Sequence, residues 1–197
     1  MTCLSQALLS VPSALKAGLT DGYAWHRFIW KSFPGRLDSQ RDFLFRADRL
    51  DNVFRVLLLS QGPPVTTEVL AWKTKEVMPS FLDHDVYRFQ LKANPTLRRA
   101  ADKRRLAIFD EARLRAWMER KAKTGGFEVE SGSLAVGAPV AEAFVKNGRT
   151  GKHVAVDYRG VLRVCNREAF AQAFKNGIGS AKGFGYGMLM LQPVGQQ

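Results

Sequence analysis

Within the stretch GYAWHRFIWKSF a phenol, an imidazole and two cations fall inside nine residues: Tyr23, His26, Arg27 and Lys31. An imidazole with an ordinary pKa near ~6.5 can take or give a proton at neutral pH. A phenol can hydrogen-bond a hydroxyl or a phosphate oxygen, and a cation can hold developing negative charge. On a helix, residues three apart are neighbours, so Tyr23 and His26 would lie side by side. Ala24, Trp25, Phe28, Ile29 and Ser32 would form the core-facing stripe, leaving Tyr23, His26, Arg27, Trp30 and Lys31 on the exposed side. That set suits a phosphodiester; by itself it suits a surface helix with an ordinary histidine equally well. The other histidines, His84 and His153, form no HxH or HExxH with it. The one compact ligand-like cluster, Asp83-His84-Asp85, reads as the cap of a strand, so no metal or other cofactor is expected.

The cations are unevenly placed. The chain of 197 residues carries 30 Lys and Arg against 18 Asp and Glu, a net +12, which favours a polyanionic partner. Residues 92–123 hold eleven of those basic residues and only four acidic ones. A solvated helix face mixes signs more evenly, so phosphate contact is the better reading. In LRRAADKRR, Arg98, Arg99, Lys103, Arg104 and Arg105 would lie within a turn or two on a loop or nascent helix. In KNGRTGK, Lys146, Arg149 and Lys152 would sit on an exposed hairpin tip. Neither has the aromatic signature of single-strand stacking modules, which leaves shape and phosphate recognition of folded RNA.

A second conspicuous stretch is GIGSAKGFGYGML near the C-terminus, with Gly177, Gly179, Gly183, Gly185 and Gly187 around Lys182. A Walker loop needs Lys-Ser or Lys-Thr after its last glycine, and none follows. A dinucleotide fingerprint needs an acidic residue about 20 residues on, and the chain runs out first. These glycines are expected to form a tight bend, several with φ > 0.

What must position these groups is a mixed α+β scaffold. Apolar content of 46% is globular, and no apolar run reaches the ~20 residues of a membrane-spanning helix. The N-terminal stretch lacks the basic n-region of a secretory signal, and Cys3 and Cys165 form no CxxC; both point to the cytoplasm. Strands are expected over residues 3–11, 41–50, 52–61, 72–77, 85–95, 127–136, 154–164 and 185–193, separated by Gly, Pro or Asp-rich breaks. Helices are expected from Thr20 or Asp21 to Ser32, over 106–123 ending at Gly125-Gly126, and over 167–175 between Asn166 and Gly177. The order is close to two β-α-β-β-α-β units, with one helix of the first unclear. It predicts two tandem ferredoxin-like modules, residues 1–92 and 93–197.

YAWHRFIWKSFPG with RDFLFR, YRFQLKANPT in the middle and GIGSAKGFGYGMLML together resemble the CasE family of CRISPR-associated RNA-processing endoribonucleases. The resemblance spans nearly the whole chain. It implies two ferredoxin-like modules that bind the hairpin of the CRISPR repeat transcript. It further implies metal-free cleavage of precursor crRNA at the hairpin's 3′ base, leaving a 2′,3′-cyclic phosphate. The protein would then stay on the crRNA, in the cytoplasm, beside the other subunits of the type I-E Cascade complex. The family's catalytic histidine falls on His26, its tyrosine on Tyr23, and its assisting basic residue on Lys152. Whether His26 serves as acid or base stays open. The glycine stretch is similar to the family's signature loop, a bend beside bound RNA. RNA contacts are therefore expected from Arg27, Lys31, the Arg98–Arg105 cluster, Arg149, Gly177, Gly179, Lys182, Gly183 and Gly185. Substitution of His84 or His153 should leave cleavage intact. The rival readings are a non-catalytic RNA-hairpin-binding subunit and a basic structural subunit whose RNA contact is incidental.

Overall fold

β1 (Cys3–Ser10) buries Cys3, Ser5, Ala7 and Leu9 in strict alternation, as a half-buried strand must. The computed structural model describes residues 1–34, 42–102 and 104–195. A short helix the sequence reading does not contain, α1 (Val11–Lys16), follows directly, its amide at Ser13 capped by Ser10. Then come α2 (Gly22–Trp30), the hairpin β2 (Phe43–Leu50) and β3 (Val53–Ser60), and β4 (Lys73–Glu76). The hairpin turns at Asp51, whose φ of 49° is one that Asp tolerates in tight turns. The sheet order is β2-β3-β1-β4 with every neighbour antiparallel, the ferredoxin-like arrangement. Trp25 and Ile29 of α2 pack with Phe43, Phe45, Val56 and Leu58 of the sheet. Where this arrangement would place a second helix, residues 61–72 contain none.

The second sheet is built on β5 (Val86–Ala93). A two-stranded ribbon, β6 (Thr96–Arg98) with β7 (Arg105–Ala107), leads into α3 (Glu111–Thr124). Then come β8 (Phe127–Val129), β9 (Ala135–Val136), β10 (Val140–Lys146) and the long β11 (Arg149–Val164). α4 (Arg167–Asn176) and β12 (Leu189–Pro193) close the chain. β8, β9 and β10 pair in succession along β11, β11 pairs β5, and β5 pairs β12. This is the same order again, so the chain is a tandem ferredoxin-like protein of the α+β class. Phe170 of α4 and Leu114, Trp117 and Met118 of α3 fill its core.

Four expectations change. The boundary at residues 92/93 falls inside β5, one of the two interior strands of the second sheet, so that sheet already begins at Val86. The helix expected from Leu106 starts at Glu111 because the Asp110 carboxylate caps it at Arg113; Leu106 and Phe109 lie before it, exposed. The strand expected over 127–136 is two short ones, broken at Gly132 with φ of 78°. Asp83-His84-Asp85 does not cap a strand but receives Arg167 of α4, whose guanidinium meets the Asp85 carboxylate at 2.6 Å and the Asp83 carbonyl.

The two modules meet through Leu44, Leu57 and Leu59 of the first and Phe174 and Met188 of the second. Arg46, 8% exposed, crosses the junction, bound to Asp48 of its own strand and to Asp157 of β11 at 3.0 Å. Among the described residues no helix is long and apolar enough to cross a membrane.

Candidate active site and nucleic-acid interface

α2 begins at a single carboxylate. Oδ1 of Asp21 accepts from the amides of Tyr23 and Ala24, both at 2.8 Å, which is ordinary N-capping. Its Oδ2 accepts from the Val145 amide of β10 at 2.9 Å, so the residue that starts the helix also ties it to the β10–β11 hairpin. Tyr23 and His26 are then neighbours one turn along, their ring centroids 6.5 Å apart.

His26 is not on the open side of its helix. It is half-buried, with Phe43 at 5.8 Å and Phe45 at 6.5 Å between ring centroids. The reason is that β2 carries aromatic residues on the face α2 covers, a pairing that helix periodicity alone does not reveal. Nε2 of His26 accepts the Trp30 indole N–H at 3.0 Å. An accepting Nε2 places the proton of the neutral ring on Nδ1.

The glycine stretch closes over this ring. Asn176 ends α4 and Gly177 turns the chain at φ of 75°. Gly179, Gly185 and Gly187 also have positive φ, as does Ala181, whereas Gly183 does not. Gly183 passes directly over His26: a Cβ there would lie 3.8 Å from Cε1 and 3.9 Å from Nδ1. The loop is pinned by the Ile178 amide on the Gly187 carbonyl and by the Gly187 amide on the Lys92 carbonyl, both at 2.8 Å. Next to Gly183, Phe184 packs on Tyr23 at 6.0 Å between centroids.

Loop and helix touch backbone to backbone. A Cβ at Gly22 would sit 2.4 Å from the Phe184 carbonyl oxygen. Gly22→Ala should therefore lower Tm despite alanine's better helix propensity. Overpacking of this kind costs roughly 1–3 kcal/mol, at about 2–4 °C per kcal/mol for a chain of this size. A thermal melt of the variant with unchanged or raised Tm would show that the loop does not rest on α2.

The hairpin supplies a cation beside Tyr23. Lys146 Nζ stands 5.6 Å from the Tyr23 ring centroid. Lys146 is opposite Arg149 in register, and cross-strand partners project to one face. The two share a groove of about 590 Å³ with Phe144 and Gly151. Lys152 pairs with Ala143, one position out of phase, so strand alternation sends it to the opposite face. The register thus turns Lys152 to the face opposite Lys146, and Lys146 is the hairpin lysine that stands beside Tyr23. The turn is only Asn147-Gly148, both with positive φ, which makes Lys152 a strand residue rather than part of the tip.

The arginine cluster is a β-ribbon, not a loop or nascent helix. Arg98 faces Arg105 across it, and the Arg99 amide bonds the Arg104 carbonyl at 2.8 Å. Asp102 organises the tip, receiving the Arg99 guanidinium, the Arg104 amide at 3.1 Å and the Arg104 side chain at 3.3 Å. Hydrogen bonding to Arg99 holds the Asp102 carboxyl below its ordinary pKa. All four arginines are exposed; Lys103 lies outside the described residues. The ribbon springs from Asn94-Pro95, where Asn94 bonds Ser180 of the glycine loop. Arg27 of α2 and Lys31 at its C-terminal cap are exposed, and Lys182 is half-buried in the loop. Among the described residues no cluster of three or more His, Cys, Asp or Glu could hold a metal ion.

The arrangement can move a proton at His26, orient an oxygen at Tyr23 and hold an anion at Lys146, beside a separate cationic ribbon. Comparison with known proteins places the whole chain. A family model described as CRISPR associated protein matches residues 4–193. The chain is 32% identical to the CRISPR system Cascade subunit CasE of Escherichia coli K12 over 196 residues, covering 91% of this chain and 96% of that one. It is 26% identical to the CRISPR-associated endoribonuclease Cse3 of Thermus thermophilus over 198 residues, covering 91% and 94%. The structure of Thermus thermophilus Cse3 bound to an RNA representing a pre-cleavage complex superposes with a TM-score of 0.84 at 25% identity, covering 98% and 99%.

Proposed function

The chain belongs to the CRISPR-associated protein family, and from that premise we propose that it is the endoribonuclease that cuts precursor crRNA and remains a Cascade subunit. Its substrate is the repeat hairpin, cut at the 3′ base without metal. The observation that carries this is the packing of the glycine loop on α2, Gly183 over His26 and Phe184 on Tyr23, with Lys146 beside Tyr23.

The nucleophile is the RNA's own 2′-hydroxyl. Its oxygen bonds to phosphorus, the bond from phosphorus to the 5′-oxygen breaks, and the product is a 2′,3′-cyclic phosphate with a free 5′-hydroxyl. One proton leaves the 2′-oxygen and one reaches the departing 5′-oxygen. His26 performs one of these transfers, since an imidazole can do either near neutral pH. In the free protein the Nε2 lone pair is held by the Trp30 indole, so the substrate gains it only by displacing that hydrogen bond. Tyr23 orients the 2′-hydroxyl or a phosphate oxygen. Lys146 offsets the charge that grows on the non-bridging oxygens, where a fixed cation lowers the barrier most. The ribbon supplies affinity for the stem, while the hairpin tip and the glycine loop hold the cut strand so that attack is in line, which supplies much of the rate.

Incubating the protein with its repeat RNA in EDTA tests this. A pair of discrete fragments is expected, the 5′ fragment carrying a cyclic phosphate by mass spectrometry. A requirement for added Mg²⁺, or intact RNA after prolonged incubation, would overturn the assignment.

A further inference from the structure

We propose that His153 is a positioning residue for the cleavage site, a neutral wedge that locks Phe184 and so holds Gly183 over His26. This rests on the reading of His26 as the reacting group.

His153 lies in β11 but faces the glycine loop. Its ring stacks on Phe144 at 4.6 Å and meets Phe184 edge-on at 4.6 Å and Tyr186 at 5.7 Å. Phe144 can lie across the hairpin only because its partner is Gly151, where a Cβ would come within 2.3 Å of the ring. Phe144 also packs on Phe184 at 4.5 Å. Phe184 is thus held from two sides by the hairpin, and its own backbone rests on Gly22 of α2. Moving His153 releases the loop side chain that connects hairpin and catalytic helix.

The polar edge of the ring fixes its protonation state. Nδ1 lies 3.3 Å from Nδ2 of Asn94, whose Oδ1 already accepts from the Val154 amide and whose Nδ2 also reaches the Ser180 hydroxyl. An amide nitrogen only donates, so Nδ1 accepts and the ring proton sits on Nε2, which is buried without a partner. An imidazolium would set N–H against N–H at Asn94. The charged groups nearby are Glu142 of β10 and Lys92 of β5, with Tyr186 of the loop. Glu142 is already committed to Lys92 at 2.7 Å and to the Tyr186 hydroxyl. Burial accordingly holds the His153 pKa below its ordinary 6.5, against the weaker pull of Glu142. The wedge is intact above pH ~6.5 and loosens as pH falls through the lowered value.

The test uses wild type, His153→Ala and His153→Phe in single-turnover cleavage at saturating protein, with RNA affinity measured separately. His153→Ala should cut roughly tenfold slower or worse, on the scale that ångström misplacement of a reacting group produces, with affinity changed less than about threefold. His153→Phe keeps the stacking and cannot titrate. It should recover most of the rate at neutral pH and lose less of it in mild acid than wild type does. Amide exchange of residues 177–187 should quicken in His153→Ala and return in His153→Phe. Wild-type cleavage by His153→Ala, or no recovery in His153→Phe, overturns the proposal. If wild-type protein leaves repeat RNA uncut, the ribonuclease reading fails instead. The exchange data then decide the wedge alone, unchanged exchange in His153→Ala rejecting it.

Discussion

His26→Ala should hold the repeat hairpin with near-wild-type affinity and cut it at least ~10²-fold more slowly, the usual loss when a general acid or base is removed. The cationic surfaces proposed to grip RNA are on other elements, the ribbon β6–β7 and the hairpin tip, so binding should not depend on the imidazole. Because His26 is half-buried against Phe43 and accepts from Trp30, alanine also opens a small cavity and strands an indole N–H. His26→Gln answers that objection. Its amide oxygen can accept from Trp30, yet it does not titrate, so it should melt like wild type and still fail to cut. Tyr23→Phe should cost less than either, since the phenol orients rather than transfers. Lys146→Ala should slow single-turnover cleavage more than Lys152→Ala, the reverse of the order the sequence suggests, because the strand register puts Lys146 beside Tyr23. Rapid cutting by His26→Gln would remove the histidine from the chemistry and most of the proposed mechanism with it.

The contrast between Lys146 and Lys152 shows where sequence reading reaches its limit. Strand alternation in β10 and β11 is visible in the residues, but its phase depends on which two residues make the turn. KNGRTGK offers several choices, and Asn147-Gly148 selects one. The same holds for His26. Its helix, cap and spacing to Tyr23 are local properties and are legible from Asp21 onward. The aromatic floor from Phe43 and Phe45 is not, because it comes from a separate strand whose pairing with α2 no local pattern announces. Leu106 and Phe109 continue the 3.6-residue pattern of α3 backwards, yet Asp110 caps at Arg113 and the pattern before it belongs to a ribbon. His153 looks inert in the sequence because nothing adjacent marks it. Its partners, Asn94, Phe184 and Tyr186, are all distant in the chain. The glycine stretch is the opposite case. Its composition already required a bend, and what the fold adds is the object beneath the bend.

Replacing Arg98, Arg99, Arg104 and Arg105 together by glutamine should weaken hairpin binding by at least tenfold at moderate salt. The slope of log K against log salt should flatten by about two to four, since each phosphate no longer neutralised removes roughly one unit. The geometry favours a large effect. Four guanidinium groups project from a narrow two-stranded ribbon whose residues are exposed on both strands, a shape that can lie along a groove of a folded RNA. Asp102 offsets part of this charge through Arg99 and Arg104, but exposed ion pairs are weak and give way to a phosphate. The ribbon is anchored through Asn94, Pro95 and the buried Ile108, none of which the variant touches, so Tm should hold. Cleavage at saturating protein should also persist, because His26, Tyr23 and Lys146 are intact. Binding and chemistry would then separate in opposite directions in this variant and in His26→Gln. A fourfold variant with wild-type affinity and an unchanged salt slope would show that the ribbon merely solvates this edge, and that the stem is held by α2 and the β10–β11 hairpin alone.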